Sequence, residues 1–385
     1  MNKNREISNG MKIGIDARLW NQSGVGRYTR NLVYNLLKID KKNSYVLFVR
    51  KQDYENIKYQ ISLHFGGQAN IKYNNKLKIV SVNVSWHSIS EQIQFPRIIE
   101  KENLDLMHFP YQIVPILYKA PFVVTIHDLI LHHFMSGEAS TQPYWMYGFK
   151  MLAYRMVIYS GARKAKKIIS VSKSTKNEII DHLRIAPSKI EVIYEAADDF
   201  VTDAKATNFK DYFLFVGNVY PHKNVETLIK AFKLIAKDKN VKLIFVGRED
   251  YFYKKMKKKV GDLLQSGRVI FVHDADDQTL LSLYKDAICL IRPSLMEGFS
   301  LPPLEALSNG CLVIASDIPV HREIFEDGIL YFNPREHMDL VNKMEYILSL
   351  DKKSKDQMVI KGLKKSKEFS WNKTAQQTLR VYETL

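Results

Sequence analysis

Cysteine is nearly absent. Only Cys289 and Cys311 occur in 385 residues, each inside an apolar run. Two such residues make neither a disulfide framework nor a structural zinc site, and they read as small buried hydrophobes of a reducing compartment. Long apolar runs are missing too. None reaches the ~18 residues of a membrane-spanning helix; residues 113–134 come nearest, broken by Lys119, His127 and Asp128. The first ten residues are polar and mixed in charge, without the apolar segment of a signal peptide. These absences predict a cytoplasmic chain with no transmembrane helix. Acid is in deficit, with 41 Asp and Glu against 57 Lys and Arg, a formal net charge of +16. A surface so basic favours an anionic partner: nucleic acid, anionic lipid or a phosphorylated substrate. No nucleic-acid-binding motif accompanies the charge, so no nucleic acid is expected. Low-complexity tracts and short-period repeats are also lacking.

What is present is an alternation of strands and helices, run through twice. Lys12-Ile13-Gly14-Ile15-Asp16 reads as a strand, followed by a turn-rich segment and a helix with Tyr28, Leu32, Val33, Leu36 and Leu37 on one face. Further strands are predicted at residues 45–49, 78–82, 104–108, 122–126, 167–171 and 190–193, with Ser172 capping a helix over 173–183. Residues 195–210 are polar and aperiodic, which places a linker there. The grammar then restarts with strands at 212–217, 241–247, 269–273, 288–293, 312–316 and 329–332. Such alternation argues for two doubly wound parallel sheets of α/β type.

The most informative stretch is Glu297-Gly298-Phe299-Ser300-Leu301-Pro302-Pro303-Leu304-Glu305-Ala306-Leu307. Proline suits a first helical position, so Pro302 or Pro303 is expected to open a helix running to Asn309, with Gly310 as its cap. Glu305 then falls in the first turn and Glu297 just before it. Both carboxylates meet a helix N-terminus, which binds phosphate well. The same spacing also fits a capped core helix with no ligand. The neighbours are apolar runs at 287–291 and 311–315, which make the segment a strand–helix–strand unit. Ligands in such sheets bind beyond the carboxyl ends of strands.

The stretch from Pro293-Ser294-Leu295-Met296-Glu297 through Ser316-Asp317 resembles the nucleotide-sugar signature of the retaining glycosyltransferases of family 4, with its two glutamates eight residues apart. The resemblance runs from Lys12 to Tyr382 and is closest to mannosyltransferase-like enzymes of bacterial polysaccharide synthesis. It implies the GT-B architecture, two Rossmann-like domains facing each other across a cleft. Residues 1–199 would form an acceptor-binding domain, 200–210 the linker, 211–368 a nucleotide-sugar-binding domain, and 369–385 a helix returning to the first domain. The implied reaction moves a hexose, mannose favoured, from a GDP- or UDP-sugar to a hydroxyl of a glycan or lipid-linked acceptor with retention.

The remaining candidate residues lie in separate regions. Gly24 and Gly26 follow the first strand and open a helix, where bare backbone lets N–H groups approach a phosphate or sugar. A third glycine and a downstream acid are missing, which counts against a dinucleotide enzyme. His127 ends a strand in Thr125-Ile126-His127-Asp128-Leu129; as a lone histidine it could be structural, and in the family it faces the transferred sugar. His132 and His133 carry no assigned role. Lys223, in the loop before a helix, is placed to reach the diphosphate, with Arg248 as a second cation. The family's arginines at the loop are replaced here by Asn218 and His222, and His273 stands where glycine is usual. Glu297 would hold sugar hydroxyls, Glu305 the ribose, and the backbone of Gly298, Phe299, Ser300 and Leu301 the diphosphate. His127, Lys223 and Glu297 are the expected catalytic set, and loss of Glu297 or Lys223 is expected to end turnover with the fold intact.

No Asp-x-Asp motif stands at a strand end, so no metal and no cofactor is expected; Asp274-Ala275-Asp276-Asp277 reads as a helix-start loop. The acid and nucleophile pair of a glycosidase is absent too, which suits front-face transfer with the departing phosphate taking the acceptor's proton. Two basic stretches stand out: 254–259, after three aromatics, reads as a solvated helix face, while 148–169, with cations among aromatics, fits either such a face or an anionic membrane surface, with the chain then peripheral on the inner face of the cell membrane. The alternatives are a GT-B-like nucleotide-sugar epimerase and a basic nucleic-acid-binding protein.

Overall fold

The structure is a computed structural model and describes residues 10–66, 76–84, 86, 88–134, 144–198 and 207–385. Two compact units emerge: Met1–Leu129 with Ser140–Glu195 and Trp371–Leu385, and Ile130–Ala139 with Ala196–Ser370. Most of the expected linker, residues 200–206, lies outside the described residues.

The first unit holds seven strands: β1 (Lys12–Asp16), β2 (Ser44–Arg50), β3 (Leu77–Val82), β4 (Leu106–Phe109), β5 (Phe122–Ile126), β6 (Lys167–Ser170) and β7 (Ile190–Val192). Their order is 3-2-1-4-5-6-7, all parallel. Helices cover both faces of such a sheet, so its central strands are largely apolar; β5 is buried at every position. β4 starts at Leu106, two residues after the expected Leu104. Asp105 is diverted to cap the neighbouring strand, its carboxylate accepting from Lys12 N at 2.8 Å. The helix Ser23–Ile39 buries Tyr28, Leu32, Val33, Leu36 and Leu37 on the predicted face. Asp40 then stops the chain as a turn residue, accepting from the backbone N–H groups of Lys42 (2.8 Å) and Asn43 (3.1 Å). The final helix, Trp371–Glu383, packs on Ser23–Ile39. It is tied there by Thr374 Oγ1 donating to Tyr194 O at 2.7 Å and by Tyr382 OH against His108 Nδ1 at 2.6 Å.

The second unit holds β8 (Tyr212–Val216), β9 (Lys242–Val246), β10 (Val269–Val272), β11 (Cys289–Arg292), β12 (Val313–Ser316) and β13 (Leu330–Phe332), in the order 10-9-8-11-12-13 and again all parallel. Both cysteines are free and buried. The helix Val225–Asp238 turns Val225, Leu228, Ile229, Ala231, Phe232 and Ile235 onto the sheet, the three-and-four spacing of an amphipathic helix. Each sheet reverses its winding once, between β1 and β4 and between β8 and β11. Such a reversal opens a crevice at the carboxyl ends of the two strands. Among the described residues no helix is long and apolar enough to cross a membrane.

Candidate active site

The β8/β11 reversal assembles a buried cluster of charge. β8 ends at Val216, and Gly217 follows with φ +133°. β11 ends at Arg292, whose Nη1 donates to Val216 O at 2.8 Å. A Cβ on Gly217 would stand 3.0 Å from that nitrogen, so glycine there admits the guanidinium. The two loops are stitched by Leu295 N donating to His222 O at 2.8 Å. Between them lies Glu297. Its Oε1 accepts from Arg292 Nε (2.8 Å), Ser294 Oγ (2.6 Å) and Lys223 Nζ (2.9 Å), and its Oε2 from Lys223 Nζ (2.8 Å). Exposure is 4% for Arg292 and 8% for both Lys223 and Glu297. Burial pushes the Glu297 carboxyl up, but Arg292, Lys223 and the donated hydrogen bonds outweigh it and hold the group well below the usual carboxylate range. His222 beside them is pushed down to about 3 by burial and by Lys223. The cluster therefore carries two cations, one carboxylate and a neutral imidazole.

The two glutamates do not share a helix end. The helix spans Leu301–Ser308, starting before the expected Pro302 or Pro303. Ser300, with φ +81°, turns the chain so that Leu301 takes the first position, and the prolines fit behind it because the first N–H groups of a helix have no partner to lose. Glu305 is thus the fifth helical residue, not a first-turn residue. It is buried and accepts from Tyr284 OH at 2.9 Å. Phe299 is also buried, its ring 5.7 Å from that of Phe369. Gly310, with φ +73°, follows the helix as expected.

Past the carboxyl ends of this sheet's strands, several polar atoms among the described residues are buried without a protein partner: Asn218 Oδ1, Ser300 Oγ, His321 Nε2 and His273 Nε2. Buried polar groups are nearly always satisfied, so such a group of orphans marks where a ligand or water belongs. His321 donates Nδ1–H to Ser316 O at 2.9 Å, and burial pushes it down to about 4, which leaves Nε2 as a bare acceptor. Left-handed backbone recurs beside these atoms, at Asn224 (φ +53°), Asp274 (φ +53°) and Ser300. Asn and Asp tolerate this conformation, whereas a serine adopts it at a cost of about 1–3 kcal/mol. Arg248 follows Gly247 past β9 and is exposed. Asp276 caps the helix Asp277–Asp286, accepting from Thr279 N at 2.8 Å. Arg292, Ser294, Tyr284 and His321 escaped the sequence reading. A charged residue closing an apolar strand, as Arg292 does, was the available signal.

In the first unit His127 follows β5, edge-on to the Tyr28 ring at 4.8 Å. Its Nδ1 lies 2.8 Å from Glu195 Oε1 and its Nε2 2.9 Å from Pro110 O. Both neighbours accept, so both ring nitrogens carry protons. Burial opposes that charge, but the Glu195 carboxylate and the Pro110 carbonyl prevail and raise the proton affinity. Neither nitrogen is left for a sugar hydroxyl, contrary to the expectation for His127. Glu195 stands in the stretch read as linker, which hid its role. Nearby, Arg18 lies over the Phe95 ring (3.7 Å) and pairs with Asp16 and Glu91, each at 2.7 Å.

Gly24 and Gly26 both lie inside the helix Ser23–Ile39, with different duties. Gly26 donates its N–H to Gln22 O at 3.0 Å, and a Cβ there would stand 2.4 Å from Trp20 O. Its bare Cα serves the chain's own turn, which corrects the expectation of a phosphate contact. A Cβ on Gly24 meets nothing within 4 Å. Gly26→Ala is therefore expected to lower stability by about 1–3 kcal/mol. Gly24→Ala should raise it by up to about 1 kcal/mol, and if a ligand approaches this backbone, Gly24→Ala alone raises KM. Thermal melts and kinetics of the two variants separate the cases.

Residues 22–199 match the model of Glycosyltransferase Family 4, and residues 197–365 that of glycosyl transferases group 1. The O-antigen chain mannosyltransferase RfbU of Salmonella typhimurium is 31% identical over 251 residues, 65% of this chain and 66% of that protein. The O-antigen chain mannosyltransferase B of Escherichia coli is 25% identical over 241 residues, 59% of this chain and 63% of that protein. The chain thus spans just under two thirds of the length of these relatives. Among solved structures, Anabaena HepE in complex with UDP and glucose superposes with a TM-score of 0.73 at 17% identity, covering 97% of this chain and all of that one. That likeness is one of fold, the GT-B arrangement of two parallel-sheet α/β domains. With adjoining family models accounting for residues 22 to 365, the chain belongs to the glycosyltransferases of family 4.

Proposed function

We propose that the protein transfers a hexosyl group, mannose favoured, from a nucleoside-diphosphate sugar to a hydroxyl of a growing surface glycan, with retention. The observation that carries this reading is the buried Arg292–Glu297–Lys223 cluster at the β8/β11 reversal, bordered by orphaned polar atoms. Two cations suit a diphosphate leaving group, whose negative charge grows as the glycosidic bond breaks. Lys223 faces the diphosphate, with Arg248 as an outer cation, while Arg292 holds the carboxylate of Glu297 toward the sugar. Glu305 takes the ribose, and the turn Gly298–Phe299–Ser300 with the first N–H groups of the helix from Leu301 binds phosphate oxygens. In the first unit, read here as the acceptor domain, Glu195 holds His127 protonated. The bond from the anomeric carbon to phosphate breaks as the acceptor oxygen adds on the same face, and the departing phosphate takes the acceptor's proton. The protein supplies positioning and electrostatics.

Mannose and a surface glycan are favoured because two of the similar proteins are O-antigen chain mannosyltransferases. A donor screen tests the whole reading. Nucleotide release is expected from GDP-mannose in preference to UDP-sugars, to rise when a glycan acceptor is added, and to persist in EDTA, since two fixed cations do the work of a metal. Consumption of a UDP-sugar with no acceptor, giving an epimer, would overturn it.

A further inference from the structure

Among its described side chains, the helix Tyr144–Lys164 in the first unit buries one face and exposes another. Ile158, Gly161 and Ala162 turn inward, with Gly161 so close to Val114 that a Cβ would stand 3.2 Å from it. Phe149, Leu152, Met156 and Tyr159 are 68%, 57%, 57% and 41% exposed. Their intervals of three, four and three residues place them on one stripe of the helix. Leu117, 51% exposed, lies beside the helix end, where Lys164 Nζ donates to Ile116 O at 2.7 Å. Single exposed apolar residues are ordinary, whereas an aligned set marks a surface that something covers.

Charge identifies the occupant. Residues 144–177 contain no Asp or Glu. Arg155, Arg163, Lys164 and Lys166 are exposed along and below the stripe. Arg163 closes it, its guanidinium 5.2 Å from the Tyr159 ring centre and donating to the Tyr159 hydroxyl. The cations are crowded enough to act on one another: burial, then Arg163 and Lys166, push the Lys189 ammonium down. A second copy of the chain packed about a two-fold axis would set these cations against their own kind. A bilayer of anionic lipid meets both halves of the pattern, taking apolar side chains at the acyl boundary and offering phosphates to the cations. We propose that this stripe docks the chain on an anionic phospholipid surface, with Phe149, Leu152 and Met156 entering the headgroup boundary and Arg155, Arg163 and Lys164 on lipid phosphates. The inference concerns a face of the first unit and does not rest on the transferase reading.

Flotation of the full chain with phosphatidylcholine vesicles, with and without phosphatidylglycerol, tests it. Binding is expected only with phosphatidylglycerol, and is expected to be lost toward 1 M salt, where the Debye length falls to about 3 Å. A Leu152→Gln/Met156→Gln variant and an Arg155→Glu/Arg163→Glu variant should each partition at least about tenfold less, since each basic residue near the surface contributes about 1 kcal/mol. Both should keep the parent's melting temperature and its nucleotide release without vesicles, so a failure here is distinct from a failure of the enzymatic assignment. The proposal falls if phosphatidylglycerol vesicles do not bind the parent chain, or if both variants bind as it does. It falls equally if light scattering finds a dimer that these substitutions dissolve, which would make the stripe an interface between copies.

Discussion

Glu297→Ala is expected to remove turnover and stability together. On sequence alone the substitution looks like a pure active-site lesion, since a glutamate in a loop before a helix has no visible structural duty. The geometry gives it one. Glu297 bridges Arg292 and Lys223, and all three are nearly buried. Removing one partner of a buried ion pair leaves the other uncompensated, at about 3–5 kcal/mol. A domain of this size loses roughly 2–4 °C per kcal/mol, so calorimetry should find a drop of roughly 10 °C. Lys223→Ala leaves Arg292 and Ser294 on the carboxylate, so the expected loss is smaller, about 1–3 kcal/mol. Its turnover falls by about 10²–10³ if the ammonium stabilises the leaving group. The acid limb follows the same logic. The folded carboxyl lies below its unfolded value of 4.5, so its contribution is complete above about pH 4.5 and fades as pH falls toward the folded value. The parent and Glu297→Ala should converge in stability on acidification. An unchanged melting temperature in Glu297→Ala would mean that the cluster is not the tight assembly described.

Glu195→Gln is expected to have the second-largest effect. The amide keeps the shape but withdraws the charge that holds His127 protonated against burial. The folded proton affinity of His127 is raised above the ordinary 6.5, so the pair's stability is fully present below about pH 6.5 and is lost as pH rises through the folded value. The parent should exceed Glu195→Gln in melting temperature most in mild acid, with the gap closing in alkali. If a positive charge beside the acceptor assists transfer, kcat falls about 10²-fold or more while KM for the donor stays near the parent's. A variant whose deficit is independent of pH would show that Glu195 acts by packing alone.

The site was partly legible from residue order. Lys223, Glu297 and Glu305 could be singled out as candidates because each lies close to the start or end of an element whose apolar pattern is plain, and a strand end is where a parallel sheet presents ligand-facing groups. Gly26 was found for the wrong reason. Its lack of a side chain answers to Trp20 O, a carbonyl six residues back, and no composition rule distinguishes that from a phosphate contact. The start of the helix at Leu301 was missed because a serine at φ +81° is a strained choice that propensity does not anticipate.

Local periodicity determined, from the sequence alone, the two parallel sheets, the cysteines as core, and the unit that carries the two glutamates. It can do so because burial on both faces of a strand and on one face of a helix is written in neighbouring residues. Partnership was decided only in three dimensions. Glu297 finds Lys223 across 74 positions and His127 finds Glu195 across 68. Proton affinity depends on which charges meet inside a poorly polarisable interior. That meeting is set by sheet order and loop closure, which no short window of sequence contains.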